Sequence, residues 1–365
     1  MGAEACLPKV AAGESCPGPT SARPPFVRVI LVGAGAVGAR AARQLLSVPA
    51  LDELVVVEHD RALRAAVIES LGEPAREADT DDVVPERDDL VLLTAPVPHR
   101  PIVERAFERG AHAVSTSDAV EDVKSLLDLD AEARERRLHL VVGAAFSPGL
   151  TCVLAAHAAS RFDHIDEIHV AKCGTGGPAC AHQRHRALGQ AGADWHDGAW
   201  GRRRGGSGRT LCWFPDPVRG VDCYRGAFPE PLLLTTAFPS VLRVTARAGA
   251  NRRDRLTARL PMLRRPHPEG GLGALRVEVR GRRGSARDEY VLGAIDRPGV
   301  AAGTVAAMAA AAIAEGGLTR PGAGGLAELV EPTPFLASLA DRGVKAAVFE
   351  GSSHSDQLVD LTEGR

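Results

Sequence analysis

The apolar run Val27-Arg28-Val29-Ile30-Leu31-Val32 ends in Gly33-Ala34-Gly35-Ala36-Val37-Gly38, and an alanine-rich helical pattern, Ala39 to Leu46, follows at once. A strand that is apolar on both sides of its pleat needs cover on both faces, as a central strand of a parallel sheet has. The three glycines then have separate tasks. Gly33 allows the tight turn, Gly35 lets backbone approach a pyrophosphate, and Gly38 lets the helix lie close on the strand. Ala36 and Val37 stand at the helix N-terminus, where free N–H groups and a partial positive charge face phosphate.

Context strengthens a motif that is weak by itself in a chain with 39 glycines. A second apolar run, Leu54-Val55-Val56-Val57, ends in Glu58, where this fingerprint expects an acid for the ribose hydroxyls. The cofactor expected is NAD or NADP. Glu58 favours NAD because a carboxylate repels a 2′-phosphate, whereas Arg61 and Arg64 stand close enough in sequence to cradle one.

The pattern then repeats. Strands are expected at Leu90–Pro96, Ala111–Ser115 and Leu138–Ala144, and helices at Ala62–Leu71, Pro101–Arg109 and Val120–Arg137. Such alternation predicts an α/β fold with a doubly wound parallel Rossmann sheet, whose ligands sit at the carboxyl ends of the strands. Thr94, Ala95 and Pro96 are there as cofactor contacts. His99 follows in a turn, where a group that titrates near neutrality suits proton transfer, or it is an ordinary surface or helix-start histidine. Asp118 is a base or orienter, or the cap of the helix near Val120.

Past Pro148-Gly149 the periodicity changes. A helix over Leu150–Ser160 leads to strands at Glu167–Lys172, Val241–Arg247, Ala274–Arg280 and Glu289–Leu292, with Gly281–Ala286 as a hairpin loop. Between Cys173 and Gly208 little periodicity is visible. The expected plan is a leader over 1–25 without order, a Rossmann domain over 26–150 and a second domain, mixed and largely antiparallel, over 151–295. A C-terminal segment over 296–350 returns to the Rossmann domain on a buried alanine-rich helix, and a flexible tail follows over 351–365.

Charge is divided between these parts. Residues 1–150 carry 16 Lys and Arg against 24 Asp and Glu, whereas residues 172–290 carry 22 against 10. A basic domain on an acidic one suggests a small anionic substrate held between them. Dispersed arginines and a slightly acidic whole chain argue against nucleic acid. Arg202, Arg203, Arg204 and Arg209 lie among glycines between Trp200 and Trp213, and their guanidinium forks match carboxylates. They read as a substrate-facing loop or as a solvated basic one. Cys173, Cys180, His182 and His185 lack the short Cys pairs of zinc sites, so no metal is assigned. Seven scattered cysteines without a secretory signal suggest reduced thiols in the cytoplasm. The longest uncharged apolar run, Val300 to Ala314, falls short of the roughly 20 residues of a membrane span.

Taken together, Gly33-x-Gly35-x-x-Gly38, Pro96-x-x-His99, Gly143-Ala144-Ala145-Phe146-Ser147-Pro148-Gly149 and the late alanine-rich helix make the chain resemble the saccharopine dehydrogenase-like oxidoreductases. The likeness covers residues 26–160 well and 296–350 loosely. It implies a Rossmann domain formed by both ends of the chain, an inserted mixed α/β domain over 151–295 for substrate and dimerisation, a nicotinamide cofactor, a homodimer, and hydride transfer at the carbon–nitrogen bond of an amino-acid-derived substrate. Ser147 stands where the amino-acid-handling branch usually has an acid, and Gly143 where it often has a Glu.

Overall fold

The computed structural model describes residues 27–79, 83–262 and 265–349. The expected leader and tail lie outside the described residues, as does the last residue of the returning segment. The first domain opens with β1 (Val27–Val32), α1 (Gly38–Leu45), β2 (Leu51–Val57), α2 (Arg61–Leu71) and β3 (Ala75–Ala78). It continues with β4 (Leu90–Leu93), α3 (Arg100–Glu108), β5 (His112–Ser115), α4 (Val120–Leu127), α5 (Asp130–Glu135) and β6 (His139–Val142). All these strands pair in parallel, and β1 lies between β2 and β4 with Val29, Ile30 and Leu31 buried. The doubly wound fold is therefore as the sequence predicts.

The expected helix over Val120–Arg137 is two helices, because Leu129 sits between them with ψ near 1°. No glycine or proline marks that break. Leu126, Leu129 and Ala133 are all buried, so the bend keeps one apolar stripe on the sheet.

The second domain begins with α6 (Leu150–Ala159) and β7 (His164–Cys173). The stretch without visible periodicity holds α7 (Pro178–Gly189), β8 (Gly192–His196) and β9 (Ala199–Arg203). Then come β10 (Thr210–Phe214), β11 (Arg219–Tyr224), α8 (Glu230–Ala237), β12 (Arg243–Gly249), α9 (Arg252–Thr257), β13 (Gly273–Arg283) and β14 (Ala286–Asp296). The chain returns through α10 (Pro298–Ala314), β15 (Gly322–Gly324), α11 (Leu326–Leu329), α12 (Pro332–Ala340) and β16 (Ala346–Phe349).

The second sheet runs β10-β11-β12-β7-β13-β14-β16, antiparallel except at the β12–β7 pair. The β13–β14 ladder extends to the Arg283–Ala286 pair, so the expected six-residue loop is a two-residue turn with Gly284 at φ +60°. Both ends of the chain build the first domain: β15 adds to β6 in parallel, and α10 lies along α1. A Cβ on Gly303 would come within 2.7 Å of the Ala41 nitrogen, so only a glycine admits this approach of α10 to α1. That packing explains why α10 is buried all round. Among the described residues no helix is long and apolar enough to cross a membrane.

Candidate functional site

The strand ends of the first sheet open into a cleft of about 750 Å³ whose far wall is the second domain. Its floor is the glycine loop. Gly33 turns at φ +97°, and a Cβ there would lie 2.6 Å from the Ala95 nitrogen. The Thr94 hydroxyl donates to the Gly33 carbonyl at 2.6 Å and fastens the end of β4 to the loop. At Gly35 a Cβ would meet no atom within 4 Å, because that side of the loop faces the cleft. The α1 N-terminus has no side-chain cap, so its N–H groups, with Ala36 and Val37 beside them, are open to a phosphate.

Glu58 ends β2 beside this loop. Its carboxylate accepts from the Ala34 N–H at 2.8 Å and from the Asp60 N–H at 3.1 Å. A carboxylate has acceptor sites to spare after two such bonds, and Glu58 lines the cleft. Of the two neighbouring arginines, Arg64 differs from expectation. Arg64 is buried, with its guanidinium on Glu77, Asp79 and the carbonyls of Glu58 and Ala78. It is thus held away from any 2′-phosphate. Arg61 is exposed at the start of α2.

Thr94, Ala95 and Pro96 line the cleft. His99 also lines the cleft, but its ring is engaged by the protein. It is 1 % exposed, with Nδ1 2.8 Å from the Ser115 hydroxyl and Nε2 2.8 Å from the Ala95 carbonyl. Burial, opposed by the Ala95 hydrogen bond and the Asp122 charge, holds the imidazole below its ordinary range. The ring is neutral at neutral pH, and both nitrogens already hold protein partners. His99 pegs the β4 end to β5 and has no nitrogen free for a substrate.

Asp118 is not a helix cap, since Ala119 occupies the cap of α4. Its carboxyl lines the cleft, and burial raises it to about 6 against the pull of Lys172. The lysine comes from the end of β7. Nζ of Lys172 donates to Glu230 Oε1 at 3.0 Å and to the Ser147 carbonyl at 3.1 Å, and stands 4.8 Å from the Phe228 ring centroid. Glu230 is 0 % exposed, at the first turn of α8, and its Oε1 also accepts from the Ser147 hydroxyl. Ser147 is presented by the turn at Gly149, which sits at φ +117°, folded onto Ala145. Lys172 and Asp118 thus line the cleft, and a second, fully buried carboxylate, Glu230, is bonded to the lysine.

Sequence reasoning missed Lys172 and Glu230, and a signal was present for the first. The chain has 4 lysines among its 44 basic residues, and β7 places Lys172 on the same face as the buried Ile168 and Val170. A lysine on an apolar face needs a partner.

The arginine cluster is elsewhere. Arg202, Arg203, Arg204 and Arg209 are exposed and do not line the cleft; Arg209 pairs with Asp222 and Arg203 approaches Asp194. They are the solvated face that a charge run ordinarily is. Besides Lys172, the basic residues that do reach the cleft include Arg184 and Arg186 of α7. His182 and His185, also on α7, bond through ring nitrogens to the carbonyls of Pro178 and Leu260.

No protein-family model and no curated protein matches this sequence. Among solved structures the chain is similar to GenD2 of gentamicin A biosynthesis, solved with NAD, at 16% identity over 93% of this chain and 100% of that one, TM-score 0.42. It is similar to the DAP dehydrogenase of C. glutamicum, solved with DAP, at 16% identity over 87% and 99%, TM-score 0.46. It is similar also to an oxidoreductase domain protein of Kribbella flavida, at 16% identity over 90% and 100%, TM-score 0.45.

Proposed function

We propose that this chain is a cytoplasmic NAD(P)-dependent oxidoreductase that transfers hydride at a carbon–nitrogen bond of a small amino-acid-derived substrate. The observation that carries the reading is one cleft holding both halves of such a site. A glycine loop open at Gly35 lines it, and so do Asp118 and Lys172. A nicotinamide cofactor, when bound, supplies or accepts the hydride. The chain's part is to hold the dinucleotide on the α1 N-terminus and Glu58, to cover the reacting carbon with the second domain, and to manage the proton.

Charge supports nitrogen as the reacting atom. Lys172 is already bonded to Glu230, which leaves Asp118 as an excess carboxylate facing a protonated amine or iminium. Arg186, exposed on α7 at the same cleft, suits the carboxylate of such a substrate. The anionic end of the ligand thus moves from the 202–209 loop to α7. The saccharopine dehydrogenase-like resemblance fits this reading, with Glu230 bringing a buried carboxylate to Ser147. A homodimer is part of the proposal, with the charged face of the second sheet around Glu167, Glu278 and Arg280 as its candidate surface.

The test is cofactor oxidation, followed by absorbance, with amino acids paired against keto acids and aldehydes. Turnover is expected with some pair. Turnover confined to simple carbonyls or enones would keep the oxidoreductase and discard the bond, and tight cofactor binding with no turnover at all would favour a dinucleotide sensor.

Cofactor preference is a second expected outcome. Arg64 is held by its carboxylates and Glu58 faces the ribose position, so NAD should bind at least tenfold more tightly than NADP, about 1.4 kcal/mol. Calorimetric titration with both dinucleotides measures it, and Glu58→Gln should narrow the gap.

A further inference from the structure

Lys172 and Glu230 lie 58 residues apart in sequence, and the third member of their cluster, Ser147, belongs to the other domain. Each contact has a direction. The ammonium donates to Glu230 and to the Ser147 carbonyl, and the Ser147 hydroxyl donates to the same Glu230 oxygen. The second oxygen of Glu230 is buried with no hydrogen-bond partner. A buried carboxylate in that condition is costly unless a cation is held against it. The geometry makes Glu230 an anchor, fixed on α8 and reaching across the domain boundary. Lys172 is the group it holds, 13 % exposed and lining the cleft together with Asp118 and Phe228.

We infer that Lys172 is the proton-carrying residue of the reaction and that Glu230 is its positioning residue, an assignment that rests on the oxidoreductase reading above. In the reductive direction an Nζ–H bond of Lys172 breaks as an N–H bond forms at the substrate's imine nitrogen. The imine carbon receives hydride from the reduced cofactor, so the imine is reduced and the cofactor oxidised. Lys172 regains its proton from water at the cleft mouth. In the oxidative direction its free amine takes the proton from the substrate ammonium. Asp118 holds the charged nitrogen in place, and Glu230 keeps the lysine aimed. Because Ser147 contributes both a hydroxyl and a carbonyl, the proton carrier is assembled only when the two domains are together.

Acetylation by acetic anhydride, read at each lysine by mass spectrometry, tests this with Lys124 as an exposed internal reference. Saturating NADH should slow labelling of Lys172 about tenfold or more while Lys124 is unchanged, since the bound dinucleotide covers the cleft. Glu230→Gln removes the carboxylate to which the ammonium is bonded, so without cofactor the released Lys172 should label about tenfold faster than in the parent protein. Glu230→Asp keeps the charge but withdraws it by one methylene, and its rate should fall between the two. This variant decides the matter if the glutamine form does not fold. A purely structural Glu230 would leave the Lys172 rate, relative to Lys124, unchanged in both variants, and that result overturns the positioning role. NADH that binds, shown by its fluorescence, yet leaves Lys172 unprotected overturns the proton-carrying role. NADH that fails to bind the parent protein overturns the dinucleotide reading instead, and removes the proton-carrying role with it.

Discussion

Gly35→Val should abolish dinucleotide binding and leave the fold intact. The two halves of that expectation come from different features of one loop. A Cβ at position 35 meets no atom within 4 Å, so the branch point of the added side chain strikes no part of the protein. It projects instead into the space that a pyrophosphate must occupy to reach the α1 N–H groups. Neighbouring glycines behave differently. At Gly33 the left-handed backbone and the Ala95 nitrogen at 2.6 Å forbid a side chain, and at Gly38 a Cβ would lie 2.6 Å from the Thr94 hydroxyl. Gly33→Val should therefore unfold the loop, whereas Gly35→Val should melt within about 2 °C of the parent, as substitutions without a folded-state clash do. NADH affinity should fall at least about 100-fold, roughly 3 kcal/mol. Fluorescence titration beside a thermal melt checks both. Unchanged affinity in a folded variant would remove the loop from the site.

The parts of this molecule that were legible in the sequence are those in which neighbouring residues act together. Val27 to Gly38 reads correctly because strand, turn and helix N-terminus are one continuous stretch, and Leu90–Leu93 is a strand for the same local reason. The alanine helix could be placed against the first domain because an element apolar all round must be buried. His99 misled because residue type reveals chemistry but not partners, and both ring nitrogens turned out to be taken by Ser115 and Ala95. The arginines at 202–204 misled for the opposite reason, since a charge run is conspicuous wherever it lies. Helix α7 escaped notice because its Arg and His residues interrupt any apolar stripe; only Ala181, His185, Ala187 and Leu188 are buried. The Lys172–Glu230–Ser147 group could not be read at all as a group. Its members come from three elements, and only the register of β7 in the second sheet and the docking of α8 bring them together.

Asp118→Asn should raise the stability of the protein and destroy its activity. Burial lifts the Asp118 carboxyl to about 6, above the 3.8 of an unperturbed aspartate, and Glu230 pushes it the same way against the opposing pull of Lys172. A group whose pKa is higher folded than unfolded binds more protons in the native state between those two values. Its favourable contribution is complete below about pH 3.8 and is lost as pH rises through about 6. At neutral pH the folded protein thus holds a carboxylate charge that it would rather not have, at a cost of about 1–2 kcal/mol after allowing for partial exposure. An asparagine of the same shape removes that cost, so the melting temperature at pH 7 should rise by roughly 2 °C or more. The gain should shrink as the melts are repeated toward pH 4, where the parent aspartate is itself neutral. Turnover should move the other way. Without the carboxylate the substrate nitrogen loses its counter-charge, and the rate should drop by about 100-fold, the scale for losing a group that assists proton transfer. In the parent protein the same loss should appear as a fall in rate below about pH 6, where Asp118 takes up its proton. A stabilised, inactive variant marks a residue kept for function at the expense of the fold. A destabilised variant would mean that Asp118 braces the structure, and a stabilised, fully active one would remove it from the reaction.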